Sequence, residues 1–128
     1  MLTESQTPRF WTLLFSLVQN HPIIIDRPQA SHHPRYPDLV YPLDYGYLDG
    51  TQSMDQGGID IWRGSQENNV LTGIVCTVDV LKADSEIKIL LGCTQPEVET
   101  ILAFHNDFSQ GGIFIAAPTH ITNENVEI

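Results

Sequence analysis

The segment from Tyr41 to Asp60, YPLDYGYLDGTQSMDQGGID, combines three tyrosines, a glycine-rich turn and four aspartates beside the start of a predicted strand. A core strand rarely carries so many carboxylates, and a solvent-exposed loop rarely carries so many phenol groups. Carboxylates next to phenols suit a site for hard metal ions and phosphate oxygens. The alternative is a connection whose aspartates are present as favourable turn residues. Spacing alone leaves both interpretations open.

Two pairs of residues within and after this segment have spacings that suit metal and phosphate chemistry. Asp55 lies in a glycine-containing turn and Asp60 on a strand, so their carboxylates could converge on one ion from different directions. In the predicted strand Glu86–Leu91, alternation places Glu86 and Lys88 on the same side, about 6.6 Å apart along the strand. A carboxylate and an ammonium at this spacing could bind a metal ion and a phosphate group. A solvated surface pair is the alternative.

Three motifs, in this order, resemble those of soluble family I inorganic pyrophosphatases. The segment Tyr41–Leu48, YPLDYGYL, resembles the family motif Y-P-x-[ND]-Y-G-[YF]-[IL]. Asp55–Asp60, DQGGID, resembles the metal motif D-G-D-P-x-D, and Lys82–Lys88, KADSEIK, resembles a shortened second acidic loop that ends D-x-K. The resemblance covers roughly Ile23 to Gly92, a little over half of the chain.

For catalysis, the resemblance implies hydrolysis of diphosphate to two phosphates with Mg²⁺ as the cofactor. At the matched positions, Asp55, Asp60 and Glu86 would hold the principal Mg²⁺, with glutamate standing where the family has aspartate. Asp84 is the nearest replacement for a further aspartate of the acidic loop. Asp55 and Asp60 would also orient the attacking water, and they are therefore the expected catalytic residues.

The resemblance also implies a set of phosphate-binding side chains. Tyr45 would hydrogen-bond a phosphate oxygen or a metal-bound water. The family places an arginine ahead of the tyrosine motif, and either Arg27 or Arg35 fits this place, because the rigid fork of an arginine suits phosphate. In the expected mechanism Lys88 and Arg27 take up the charge of the product phosphate.

The chain departs from the family pattern at several points, so three functions stay open. Gly57 stands where the family has the aspartate that helps to deprotonate water, and no Lys, Arg or Tyr follows Lys88. The first function is a minimal Mg²⁺-dependent diphosphate hydrolase with reduced activity, which the retained acids and Lys88 favour. The second is a non-catalytic metal- and phosphate-binding or interaction module, which the losses favour. The third is a phosphohydrolase acting on another phosphate compound.

The net charge of −10, with only six Lys and Arg in 128 residues, argues against nucleic acid as a partner, because binding to a phosphate backbone depends on basic patches. A polyanionic substrate then needs divalent cations to supply most of the attraction. The most apolar windows, Phe10–Val18 and Ile74–Val80, are too short to cross a bilayer, and no signal peptide is recognisable. We therefore expect a cytoplasmic protein without a membrane partner. Cys76 and Cys93 are expected as free thiols, with a disulfide between them as the alternative.

The pattern of elements predicts one domain over residues 1–128, mainly β with flanking helices, forming a shortened closed or partly closed β-barrel of the pyrophosphatase type. A helix is predicted within residues 1–21, and its apolar stretch could serve core packing or a homo-oligomer interface. The capping box Thr94–Glu97 predicts a second helix, and a polar tail is expected over residues 118–128. The predicted strands are Ile23–Ile25, Ile59–Arg63, Leu71–Lys82, Glu86–Leu91 and Ile113–Ala116.

Overall fold

The computed structural model describes residues 7–119, which form one mixed sheet of six strands with two α-helices and a short 3₁₀ helix. The mainly β class with flanking helices is confirmed. In chain order the elements are α1 (Thr7–Asn20), β1 (Ile23–Arg27), β2 (Asp44–Leu48), β3 (Ile59–Arg63), the 3₁₀ helix (Glu67–Asn69), β4 (Leu71–Asp79), β5 (Asp84–Leu91), α2 (Gln95–Phe104) and β6 (Gln110–Ala116).

The sheet has the strand order β1-β2-β3-β5-β4-β6. Its strands pair in antiparallel fashion except for β3 and β5, which are parallel with Ile61 opposite Ile89. Within residues 7–119, β1 and β6 each pair on one side only, so the sheet is not closed into a barrel. The parallel pair joins the β1-β2-β3 meander to the β4–β5 hairpin at the centre of the sheet.

The two helices cover opposite faces of this sheet. Trp11 and Leu14 of α1 pack with a buried cluster that includes Ile61 and Ile89. On the other face, a second cluster joins α2 to the alternate residues of the same strands. Its buried members include Trp62, Leu90, Val98 and Ile101. The central strands are therefore buried on both faces, which explains their continuous apolar runs.

Both predicted helices are present. The N-terminal helix begins at Thr7 and ends at Asn20, and it leaves Phe10 and Leu17 partly exposed. The second helix has the predicted capping box: Glu97 N donates to Thr94 Oγ1 at 3.3 Å, and Thr94 N donates to Glu97 Oε1 at 2.8 Å. No helix among residues 7–119 is long and apolar enough to span a membrane.

The strands differ from the sequence-based prediction at four places. The strand β1 extends to Arg27, two residues beyond the predicted end at Ile25. The strand β2 was not predicted, because its proline and aspartate neighbours and Gly46 have low strand propensity. The hairpin turn lies earlier than expected, since Asp79 accepts hydrogen bonds from the backbone N–H groups of Leu81 and Lys82 and so ends β4. The strand β6 begins at Gln110, three residues before its predicted start at Ile113. Of the predicted tail, residues 120–128 lie outside the described part.

Candidate functional site

Four of the predicted site residues meet on the α2 face of the sheet: Tyr45 from β2, Asp60 from β3, and Glu86 and Lys88 from β5. The ammonium of Lys88 lies 2.5 Å from Asp60 Oδ2, 3.3 Å from Glu86 Oε1 and 3.2 Å from the Tyr45 hydroxyl oxygen. The Tyr45 hydroxyl in turn donates to Asp60 Oδ2 at 2.7 Å. We refer to these four residues as the Lys88 cluster.

Strand register explains why the sequence folds into this cluster. Tyr45 lies opposite Trp62 in the antiparallel pair of β2 and β3, and Trp62 lies opposite Leu90 in the parallel pair of β3 and β5. Asp60 and Lys88 each lie two residues before one of these positions. Because side chains alternate along a strand, all of them share one face. Three adjacent strands therefore deliver the phenol, the acids and the ammonium to the same place.

The Lys88 cluster is largely shielded from solvent, and this environment shifts the pKa values of Lys88 and Tyr45. The side chain of Lys88 is 8% exposed and that of Glu86 is 9% exposed. Burial favours loss of the proton from Lys88, but the carboxylates of Asp60 and Glu86 outweigh it, so the pKa of Lys88 is raised. Burial, reinforced by Asp60, also raises the pKa of Tyr45 well above its usual value. At neutral pH the cluster therefore contains a charged ammonium and a neutral phenol.

Aromatic side chains pack against the Lys88 cluster on the α2 side of the sheet. We refer to Tyr41, Tyr45, Trp62 and His105 as the aromatic wall. The ring of Tyr45 packs edge-on against Trp62, with centroids 4.7 Å apart, and stacks with Tyr41 at 5.3 Å. Trp62 Nε1 donates to Nε2 of the buried His105 at 2.9 Å, while His105 Nδ1 lies 2.5 Å from Gln110 Oε1. These contacts fix the neutral tautomer with its proton on Nδ1, and burial lowers the pKa of His105 to about 4.

Sequence reasoning did not assign Trp62 to the site. The available signal was its position two residues after Asp60, which places both side chains on the same face of the strand. Sequence reasoning gave His105 no role in the site either. It is buried at the C-terminal end of α2, and its hydrogen bond to Trp62 joins residues 43 positions apart in sequence.

Asp55 has its own partners in the loop between β2 and β3. Its Oδ1 accepts hydrogen bonds from Ser53 Oγ at 2.6 Å and from Gly57 N at 2.9 Å. These bonds, that of Ser53 first, lower the pKa of Asp55. Among residues 7–119 no three His, Cys, Asp or Glu residues form a group that could hold a metal ion. The structure thus brings Asp60 and Glu86 together but does not complete the expected three-carboxylate site.

The other expected site residues lie around the cluster. Asp84 is the first residue of β5, opposite Asp79 and on the same face as Glu86. Arg27 ends β1 opposite Tyr45, where its guanidinium lies 3.7 Å from the Asp26 carboxylate and donates to the Asp26 carbonyl oxygen at 3.2 Å. Arg35 lies in the loop before the tyrosine segment, and its backbone N–H donates to the ring of a neighbouring histidine.

The donor set of the cluster fits one Mg²⁺ ion. Both hydrogen bonds to Asp60 use Oδ2, and Glu86 Oε2 is buried without a hydrogen-bond partner within the described residues. The second oxygen of each carboxylate is a hard ligand of the kind that magnesium prefers. Magnesium is commonly held by one or two carboxylates together with substrate phosphates and water, so two acids suffice. Asp60 and Glu86 are the residues that would hold it.

A cleft of about 490 Å³ lies between the β2–β3 loop and β5. Glu86 is the one lining residue that also belongs to the Lys88 cluster, whereas Cys76 lies on the α1 face of the sheet. Half of the other lining residues come from the loop that carries Asp55. The lining residues are Gln52, Ser53, Met54, Cys76, Ser85, Glu86 and Ile87.

The fold is similar to those of solved inorganic pyrophosphatases. One is an inorganic pyrophosphatase from Coxiella burnetii, with a TM-score of 0.52 and 14% identity over 73% of this chain and 82% of that chain. An inorganic phosphatase from Anaplasma phagocytophilum gives a TM-score of 0.52 and 13% identity over 73% and 81% of the two chains. An inorganic pyrophosphatase from Helicobacter pylori gives 0.50 and 14% over 73% and 81%.

No family model and no curated protein matches the sequence. At such low identity, the structural similarity shows a shared fold. The expected pyrophosphatase-type fold is therefore confirmed, in a shortened form whose sheet is not closed within residues 7–119.

Proposed function

We propose that the Lys88 cluster binds diphosphate together with Mg²⁺ and hydrolyses it to two phosphates, at a reduced rate. The observation that carries this proposal is the convergence of Tyr45, Asp60, Glu86 and Lys88 on one face of a pyrophosphatase-type sheet. Acids, an ammonium and a phenol in one shielded place are what a phosphoryl-transfer site requires, since catalysis there is mostly charge stabilisation and positioning.

Each residue of the cluster has a role in this proposal. Lys88 would donate to a phosphate oxygen, and its charged state at neutral pH follows from the neighbouring acids. Tyr45 would donate to a second phosphate oxygen from a hydroxyl that its ring contacts hold in place. Asp60, which accepts from both side chains, would orient the attacking water. Arg27, opposite Tyr45, would contact the outer phosphate with its planar fork of donors.

Magnesium would offset negative charge on the phosphate oxygens when it is held by Asp60 and Glu86. The chain itself carries a net charge of −10, so its own cations do not compensate the charge of diphosphate. We therefore expect diphosphate binding to require a divalent cation.

The reduced rate follows from what the loop between β2 and β3 provides. Gly57 has no carboxylate to act as a base, and Asp55 is hydrogen-bonded within its own loop. Loss of one general base typically lowers the rate by about 10²–10⁴-fold. The same observations favour the second candidate, a non-catalytic protein that binds phosphate and metal at the Lys88 cluster without turnover. Another phosphate compound as substrate, a homo-oligomer and a cytoplasmic location stay predictions.

The test is release of phosphate from diphosphate in the presence of millimolar Mg²⁺ and in EDTA. The wild-type chain is compared with Asp60→Asn and with the control Asp38→Asn, which changes an exposed aspartate. We expect Mg²⁺-dependent turnover in wild type and control, and its loss in Asp60→Asn, with all three shown to be folded by circular dichroism. If folded wild-type protein shows no turnover, the hydrolase proposal is wrong and the non-catalytic binding protein is the remaining candidate. Calorimetry with diphosphate and Mg²⁺ would then test that binding.

A further inference from the structure

The ammonium of Lys88 has no donor left for a ligand in this structure. A lysine ammonium has three N–H donors and no acceptor. Three acceptors lie within 3.3 Å of it, namely Asp60 Oδ2, Glu86 Oε1 and the Tyr45 hydroxyl oxygen. The side chain is 8% exposed. A phosphate oxygen can therefore bind Lys88 only if one of these internal hydrogen bonds is broken.

The two carboxylates need this ammonium in the absence of another cation. Asp60 and Glu86 are both mostly buried and contribute two negative charges against the single positive charge of Lys88. A buried carboxylate without a counter-ion is strongly destabilising. Glu86 Oε2 already lies buried without a hydrogen-bond partner in the described residues, so one carboxylate oxygen is unsatisfied even with Lys88 in place.

We propose that Lys88 is the built-in counter-ion of Asp60 and Glu86, and that a divalent cation binds by displacing its ammonium from these acids. The displaced ammonium is then free to donate to phosphate, a step that rests on the proposed function. This arrangement sets an order in which the cation binds first and the phosphate second. It also makes Lys88 a competitor of the cation and a partner of the anion. Removing Lys88 should therefore strengthen cation binding, because the competing ammonium is gone. It should weaken phosphate binding, because a donor to phosphate is lost.

The first test measures Mg²⁺ binding alone, by isothermal titration calorimetry, without any phosphate. The chain has only two lysines, Lys82 and Lys88, so Lys82→Met is a matched control at an exposed position. We expect Lys88→Met to bind Mg²⁺ more tightly than wild type by roughly 5–150-fold, the usual range for coupled sites, and Lys82→Met to bind as wild type does. Equal or weaker binding by a folded Lys88→Met, or no binding by either, would overturn the proposal.

A second measurement uses the wild-type chain and so does not depend on the folding of a variant. With ¹⁵N-lysine labelling, the ammonium group of Lys88 should exchange its protons slowly with water, and that of exposed Lys82 rapidly. Addition of Mg²⁺ should shift the Lys88 resonance and accelerate its exchange, while Lys82 is unchanged. Slow exchange that persists at saturating Mg²⁺ would contradict displacement. Because neither measurement includes diphosphate, their outcome is independent of whether the chain hydrolyses it.

Discussion

His105 and Lys88 are buried ionisable side chains on the same face of the sheet, and their surroundings drive their charges in opposite directions. Two carboxylates surround Lys88 and keep its ammonium charged. His105 has Trp62 and Gln110 as hydrogen-bond partners, so burial decides its protonation and lowers its pKa to about 4. The Lys88 cluster is thus a charged site next to a neutral, hydrogen-bonded aromatic wall.

We predict that His105 makes the chain less stable in mild acid. Unfolded histidine binds a proton below its ordinary pKa of 6.5, whereas folded His105 does so only near 4. The unfolded state therefore binds more protons between these values, and stability falls as the pH drops through that window. The full loss attributable to this residue is about 3 kcal/mol by linkage, of which about 2 kcal/mol falls between pH 7 and pH 4.5. The measurement is urea unfolding from pH 7 to pH 4.5, comparing wild type with His105→Gln. Identical pH dependence in the two proteins would show that His105 is not responsible.

At the scale of elements, β6 packs closely against β4 and the end of α2 at Gly112, the third residue of the strand. A Cβ at Gly112 would lie 3.1 Å from Val75 Cγ1 and 3.3 Å from His105 Cβ, whereas one at Gly111 would find its nearest atom, Asn106 Oδ1, at 3.7 Å. Gly112 therefore permits the close approach of β6 that places Gln110 against His105.

This difference predicts unequal effects of two neighbouring substitutions. Gly112→Ala should destabilise the protein by about 1–3 kcal/mol, because the added methyl group overpacks the contact with Val75. Gly111→Ala serves as the matched control and should change stability by no more than about 0.5 kcal/mol. Urea unfolding of both variants at pH 7 is the measurement. A larger loss in Gly111→Ala than in Gly112→Ala would mean that the space around β6 is not as described.

For the whole molecule, the dominant electrostatic feature is the net charge of −10. Self-repulsion of this size destabilises a compact state, and salt screens it between exposed groups but much less between buried ones. The ion pairs of the buried Lys88 cluster should therefore persist at high salt, while the repulsion between exposed carboxylates on the surface weakens. Asp44, paired with Arg63 at 2.9 Å, is one of the few acids with a nearby guanidinium among the described residues.

We predict that raising NaCl from about 0.05 M to 0.5 M increases the urea midpoint of the wild-type chain, since the Debye length falls well below 10 Å over this range. The double variant Glu67→Lys, Glu99→Lys changes two exposed acids and reduces the net negative charge. Its midpoint should depend less on salt. A midpoint that falls with salt, or an unchanged salt dependence in the double variant, would argue against surface repulsion as the controlling effect.

Local features of the sequence determined several parts of this protein. The capping box fixed the start of α2, because its two hydrogen bonds join residues three positions apart. Alternation in β5 placed Glu86 and Lys88 on one face, because side chains repeat every two residues in any strand. Composition determined the net charge. The capping box and the strand alternation depend only on residues that are close together along the chain, so the sequence alone is enough to predict them.

Only the tertiary structure decided which side chains share the site. Asp60 and Lys88 lie 28 positions apart, and their contact exists because β3 and β5 pair in parallel with one register. A shift by one residue would turn one of them to the opposite face. The strand β2 likewise forms through pairing on both sides, against its weak local propensity. The motif resemblance predicts Asp55 as a metal ligand, but hydrogen bonds within its own loop give it separate partners. Register and loop conformation arise from contacts across the fold, and for this reason motif spacing alone did not determine them.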